Sequence, residues 1–221
     1  MSAELAILFD VDNTLLDNDR VQADLRAHMT EEYGREASER YWTLLEELRV
    51  SKGYIDYLGA LQLYRVEAMH NPRVLRMADW MADYDFASCV YPGAFDAVRR
   101  AQSFGLAAIL SDGDAAFQPR KVERSGLWSL FRDNVLIYVH KEEELDDVAR
   151  WYPADHYVLV DDKLRILDAV KERWGERITT VFVQQGHYAR EPGLLERYRE
   201  ADLTIACIAD FNDVERAALL G

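Results

Sequence analysis

Cysteine is scarce in this chain of 221 residues: Cys89 and Cys207 stand far apart, without the C-x-x-C spacing of a redox or zinc site. That excludes a disulfide scaffold and fits free thiols in a reducing compartment. Long apolar runs are also missing, so no segment approaches the roughly 20 residues of a membrane span. The first apolar run starts a few residues after Met1, which leaves no room for a signal peptide, and a cytoplasmic location is expected. Basic residues are outnumbered, 26 against 40 acidic, for a net charge of -14. A polyanionic partner such as nucleic acid is therefore not expected. A small phosphorylated ligand is compatible with that charge, because one bound cation inverts the field of a site. The five histidines, His28, His70, His140, His156 and His187, show no metal-ligand spacing. His187 follows a strand-like run and reads as a loop histidine. There is no phosphate-cradling Gly-rich loop of the Walker or G-x-G-x-x-G kind, no internal repeat and no low-complexity stretch.

What the chain does have is concentrated at its start. Leu5-Ala6-Ile7-Leu8-Phe9 is an apolar run of strand type that ends in Asp10-Val11-Asp12-Asn13-Thr14. Two carboxylates one residue apart repel each other, and burial makes both harder to ionise. A cation resolves that conflict, and Mg²⁺ prefers carboxylate oxygen completed by water and phosphate. The plain alternative is that Asp10 and Asp12 open a turn or cap a helix.

A long helical stretch follows. Apolar residues recur at helical spacing through Val21, Leu25 and Met29, then Tyr41, Leu44, Leu45 and Leu48, then Tyr57, Leu58 and Leu61, then Val74, Met77 and Met81. Gly34, Ser51-Lys52-Gly53 and Asn71-Pro72 divide it into about four helices, a bundle inserted after the first strand. Its aromatic positions are expected to form the bundle core. After Tyr91-Pro92-Gly93 the rhythm becomes alternating. Helices are expected over 93–104, 117–124, 142–151, 163–174 and 212–220, with strands over 106–110, 135–139, 157–160, 178–183 and 203–207. Alternation of this kind predicts an α/β fold with a doubly wound parallel sheet. The acidic run Glu142-Glu143-Glu144 reads as the solvated first turn of a helix.

Three strand ends carry chemistry in order: Asp10 and Asp12, then Ser111 in Leu110-Ser111-Asp112-Gly113, then Asp161-Asp162. Lys141 follows a fourth strand. In a parallel sheet these ends share one edge and can converge on one site. Carboxylates for a metal, a hydroxyl and a cation together suit phosphoryl transfer, where positioning and charge neutralisation dominate.

These four segments resemble, in order, the four motifs of the haloacid dehalogenase superfamily. Tyr91-Pro92-Gly93 is similar to the usual re-entry into that family's core, and the inserted bundle resembles its C1 cap. The resemblance implies a Rossmann-like core over residues 1–16 and 89–221, with a helical cap over 17–88. It further implies a Mg²⁺-dependent phosphatase acting on a small phosphorylated metabolite. In that mechanism Asp10 is the nucleophile and forms an aspartyl-phosphate, while Asp12 is acid and then base. Mg²⁺ would be held by Asp10, the backbone carbonyl of Asp12, Asp162 and, directly or through water, Asp161. Ser111 and the backbone around Asp112 would bind phosphoryl oxygens, Lys141 would offset their charge, and Thr14 would position the loop or Asp12.

Lys141 is followed by Glu142 where the family often has proline, and Lys121 is its rival. The position of Lys141 directly after a strand favours it. Other branches stay open: a 2-haloacid dehalogenase, which generally lacks the acid at the Asp12 position; a phosphonatase, with Lys52 as imine-forming lysine; a phosphomutase; or a non-catalytic binding protein. Lys52 reads more simply as a solvated residue beside a turn glycine.

Overall fold

The structure is a computed structural model and describes residues 2–69 and 71–220. His70 lies outside the described residues. The chain opens with β1 (Ala3–Phe9), whose residues Leu5 to Phe9 are completely buried. Burial on both faces explains why this strand reads as a continuous apolar run rather than an alternating one. Four helices follow: α1 (Asn18–Tyr33), α2 (Arg35–Lys52), α3 (Tyr57–Glu67) and α4 (Arg73–Asp83). Asp17 starts α1 by accepting the Arg20 N–H at 2.9 Å, and Asp56 starts α3 by accepting the Gly59 N–H at 2.7 Å. Gly53 ends α2 in the left-handed region at φ 82°.

The chain then alternates. α5 (Ala94–Phe104), β2 (Leu106–Asp112), α6 (Phe117–Arg124), α7 (Leu127–Leu130) and β3 (Val135–Tyr138) form the first half. α8 (Leu145–Trp151), β4 (Ala154–Asp161), α9 (Leu164–Trp174), β5 (Ile178–Val183), α10 (Leu194–Arg197) and β6 (Leu203–Ile205) form the second. All strands pair in parallel in the order β3-β2-β1-β4-β5-β6. The chain fills one side of β1 and then the other, so the order reverses between β1 and β4. Ligands of open α/β sheets bind at that switch point, outside the carboxyl ends of the strands.

Alternate residues of β1 face opposite layers. Leu5, Ile7 and Phe9 join an apolar cluster that continues into the bundle through Leu15, Val21, Leu25 and Phe86. Ala6 and Leu8 face Val148 of α8 and Leu167 and Val170 of α9. Tyr41 and Tyr57 are buried, as core positions should be, but Tyr54 and Tyr57 also line a cavity against the sheet edge. The bundle aromatics are thus divided between packing and the cavity wall. Among the described residues, no helix is long and apolar enough to cross a membrane.

Three local expectations are corrected. Residues 212–220 form no α-helix; two 3₁₀ turns, Ile208–Asp213 and Arg216–Leu219, are separated by extended Val214. The helix expected from 142 starts at Leu145, after a 3₁₀ turn over Lys141–Glu143. Within that turn Glu142 is not solvated: its Oε1 pairs with Arg165 at 2.7 Å and its side chain is 11% exposed. That contact holds its carboxyl below the usual range despite the opposing effect of burial.

Candidate active site

The register places the acidic residues side by side. Phe9 pairs with Val160, and the Asp10 N–H donates to the Val160 carbonyl at 2.9 Å. Asp10 and Asp161 therefore leave adjacent strands together, with Asp162 one residue further on. One oxygen from each of Asp10, Asp161 and Asp162 falls within a single 4.8 Å cluster, and all three residues are buried. Asp12 does not bring its carboxylate into this cluster, so as a metal-holding residue it has its backbone carbonyl to offer.

Lys141 reaches into the cluster from the turn after β3. Its Nζ lies 2.6 Å from Asp10 Oδ1 and 2.6 Å from Asp161 Oδ2, and it donates to the Leu110 carbonyl at 3.2 Å. The lysine is fully buried, which opposes its charge, but the two carboxylates outweigh burial and hold it ionised. Burial likewise pushes the Asp10 carboxyl up, yet Lys141 and Lys163 win and leave it below the usual carboxylate range. Asp10 is thus held as an anion, the state a nucleophile needs. Burial pushes Asp161 and, more strongly, Asp162 upward.

Ser111 Oγ donates to Asp10 Oδ1 at 3.3 Å and accepts the Gln118 amide at 3.0 Å. The Asp112 side chain has a structural part: its Oδ1 accepts the Lys141 N–H at 2.8 Å and thereby fixes the turn that delivers Lys141. The Thr14 hydroxyl is buried without a partner among the described residues; Thr14 acts instead through its carbonyl, which accepts the Gln185 amide at 2.7 Å. Gln185 also donates to the Asn13 carbonyl at 3.1 Å, so the loop after β5 holds the loop after β1. Asn13 sits at φ 61°, and its Oδ1 accepts the Asn18 and Asp19 N–H groups at the start of α1. His187 approaches Asp19 at 2.5 Å on that same rim.

Lys121 is not at the cluster. It is fully buried and places Nζ 2.7 and 2.9 Å from the two carboxylate oxygens of Asp12. The competition between Lys141 and Lys121 thus resolves spatially into two ion pairs, one on each acid of the first loop. Lys163, which the sequence reading passed over, lines the cavity beside Asp12 and Asp112. Its ammonium lies 5.1 Å from the Tyr188 ring centroid, and Asp10 and Asp162 keep it charged against burial. Of the five lysines in the chain, Lys52, Lys121, Lys141 and Lys171 each have a carboxylate within 2.9 Å. Lys163 has none among the described residues. The signal was its position directly after Asp162, at the start of a helix. Gln118 carried no comparable signal.

The cavity itself has a volume of about 570 Å³ and lies between the bundle and the strand ends. Arg49 and Tyr54 come from the bundle side, Asp12, Asp112 and Lys163 from the sheet side, and Tyr188 from the loop after β5.

A buried, ionised carboxylate at the switch point of a doubly wound α/β sheet, with a hydroxyl and a lysine on it, is the setting of a hydrolase. The profile of the haloacid dehalogenase-like hydrolases matches residues 5–183, and the chain belongs to that family. A haloacid dehalogenase-like hydrolase from Burkholderia xenovorans is 55% identical, with 96% of this chain and 99% of that one covered, at a TM-score of 0.91. An L-2-haloacid dehalogenase from Xanthobacter autotrophicus shares the fold at 16% identity, 94% and 96% coverage and a TM-score of 0.63. A magnesium-bound hydrolase of the family from Bacillus subtilis does so at 15% identity, 94% and 96% coverage and a TM-score of 0.62. No curated protein matches the sequence.

Proposed function

We propose that this hydrolase is a Mg²⁺-dependent phosphatase acting on a small phosphomonoester. The observation that carries the reading is the pairing of two differently placed acids in one loop: Asp10 buried against Lys141, and Asp12 on the cavity wall. A haloacid displacement needs only the first; a phosphoester also needs a proton for its leaving oxygen.

The acidic cluster fits the metal. Among the described residues Asp10 Oδ2 and both oxygens of Asp162 are buried with no hydrogen-bond partner, three orphaned anionic acceptors of the kind that a hard dication takes up. Asp10, Asp162, the Asp12 carbonyl and, directly or through water, Asp161 would hold Mg²⁺. When bound, the ion would neutralise charge on the phosphoryl oxygens.

The chain's own residues do the rest. The Asp10 carboxylate attacks phosphorus, the bond to the leaving oxygen breaks, and Asp12 gives that oxygen its proton. Asp12, now a carboxylate, then takes a proton from water. The water oxygen attacks phosphorus and the bond to Asp10 breaks, which releases inorganic phosphate. Ser111 and Lys141 hold the phosphoryl oxygens throughout, with Lys163 as a further cation on the cavity wall. The bundle over residues 17–88 acts as a C1 cap that closes the cavity and excludes water.

The imine-forming role considered for Lys52 is opposed by its environment. Its ammonium pairs with Asp56 at 2.6 Å, and that hydrogen bond raises its pKa, opposite to what imine formation requires. The decisive assay measures phosphate release from a panel of phosphomonoesters, with Mg²⁺ and with EDTA, for wild type and Asp10→Asn. Metal-dependent release that falls to background in Asp10→Asn is expected. Halide release from a 2-haloacid in EDTA, with no phosphate release from any ester, overturns the reading.

A further inference from the structure

Lys121 is an expensive residue to bury. It has no exposed surface, and an ammonium without water must be matched by full pairing. All of its pairing goes to two residues: both carboxylate oxygens of Asp12, at 2.7 and 2.9 Å, and Asn18 Oδ1, at 2.9 Å. Asp12 is the opposite case. Its side chain is 23% exposed and lines the cavity, so water could solvate it without any lysine. If stability alone set this position, an apolar side chain on α6 would serve at lower desolvation cost.

The surroundings fix Lys121 in turn. Asn18 is the first residue of α1, and its backbone N–H is already held by Asn13 Oδ1 at 3.0 Å. On either side of Lys121 on α6, Arg120 donates to the Ala82 carbonyl at 3.0 Å and Arg124 to the Asp83 carbonyl at 3.0 Å. One helix therefore holds both ends of the inserted bundle and the partly exposed acid of the first loop.

We infer that Lys121 is a positioning residue that acts through Asp12. By gripping both oxygens it sets the carboxyl's orientation on the cavity wall. It also stabilises the carboxylate that forms when Asp12 passes its proton to the leaving oxygen. The bonds balance simply: the O–H bond of Asp12 breaks, the new O–H bond forms on the leaving group as its bond to phosphorus breaks, and Lys121 stays an ammonium throughout. The inference rests on the phosphohydrolase reading above.

Leaving-group dependence tests it. An alkyl phosphate needs the proton from Asp12, whereas p-nitrophenyl phosphate has a leaving group stable as an anion. Single-turnover release of the leaving group is measured for wild type, Lys121→Met, Lys121→Arg, Asp12→Asn and the Asp12→Asn/Lys121→Met double variant, with thermal unfolding of each. Lys121→Met is expected to slow the alkyl ester about 100-fold, in the range of one general-acid contribution, and the aryl ester less than about threefold. Lys121→Arg should recover most of the alkyl rate. In the Asp12→Asn background Lys121→Met should change neither rate; should Asp12→Asn fail to fold with its buried ammonium unmatched, the contrast between the two esters in Lys121→Met, where water solvates Asp12, still decides.

Equal losses for the two esters, or a further tenfold loss in the double variant relative to Asp12→Asn, overturn the inference while leaving the phosphatase standing. Absence of turnover by the wild type with every ester overturns both.

Discussion

Replacing Asp112 by asparagine isolates one charge at the edge of the site. Asp112 Oδ1 accepts the Lys141 N–H at 2.8 Å, and an amide oxygen accepts it equally well, so Asp112→Asn removes charge while keeping the bond. Burial pushes the Asp112 carboxyl up to about 6, against the pull of Lys141 and Lys163, and Asp10 adds to the rise. Asp112 in turn helps to hold Arg165 charged. The folded value lies above the unfolded one, so folding favours the protonated form. The wild type therefore has its full stability below about pH 4 and loses part of it as the pH climbs through 6. A rise of that size corresponds to about 3 kcal/mol once titration is complete, roughly half of it by pH 5. In a chain of this length each kcal/mol moves Tm by about 2–4 °C. Calorimetry in EDTA at constant ionic strength should find Asp112→Asn within about 2 °C of wild type at pH 4 and about 6–12 °C more stable at pH 8. A gap that does not change with pH, or a wild type that is the more stable at pH 8, refutes the reasoning. It would mean that the neighbouring lysines compensate the charge fully.

Two further outcomes follow from the same geometry. Mg²⁺ at a hundred times its dissociation constant should stabilise the wild type by about 2.7 kcal/mol, or about 5–11 °C. Asp162→Asn, which removes a buried carboxylate with two unpartnered oxygens, should be more stable than wild type in EDTA and lose most of the Mg²⁺ shift; an undiminished shift excludes Asp162 as a ligand. Gly186 sits at φ 75°, and a Cβ there would lie 2.5 Å from the Asn13 Cβ. Gly186→Ala should therefore cost at least about 2 kcal/mol through strain and overpacking and reduce turnover by shifting the loop that carries Asp10 and Asp12. Gly126→Ala, in the left-handed region at φ 81° and with the new atom at an ordinary 3.6 Å from Phe95, should cost about 1 kcal/mol, and equal destabilisation of the two variants would refute the steric argument.

The strand ends were legible in the sequence because burial on both faces writes a strand as an unbroken apolar run, and a polar residue after such a run has nowhere to be except the sheet edge. That logic reached Asp10, Ser111 and Asp161-Asp162 without knowledge of their partners. It reached Lys141 as well, because a turn directly after β3 leaves a long side chain little choice but to follow the edge. The same logic fails wherever a contact crosses elements. Lys121 and Asp12 are 109 positions apart, and nothing in the periodicity of α6 tells which side of it meets the first loop. Glu142 was misread for the same reason: three acids in a row look solvated until Arg165, 23 positions later, is folded against the first of them. At the C-terminus, Ala217-Ala218-Leu219-Leu220 has helical composition, but Asp210 spends its carboxylate on the Ala206 and Cys207 N–H groups and Val214 is extended, so the segment is broken into turns too short to continue.

Lys163 shows how the two levels of reading complement each other. In the sequence it is one more cation beside two acids, and its natural partner would be Asp162. The fold denies it that pairing: the Lys163 N–H is committed to Asp161 Oδ1 at 2.8 Å as α9 begins, and its ammonium lies out over Tyr188 on the cavity wall. The charge that the other four lysines satisfy with carboxylates has, among the described residues, no carboxylate in contact here and lines the cavity instead. On the proposed reaction, that volume is where the dianionic ester arrives. An ammonium there offsets the repulsion that Asp10, Asp12 and Asp112 exert on an anionic substrate, in a chain whose overall charge of -14 would otherwise work against binding it.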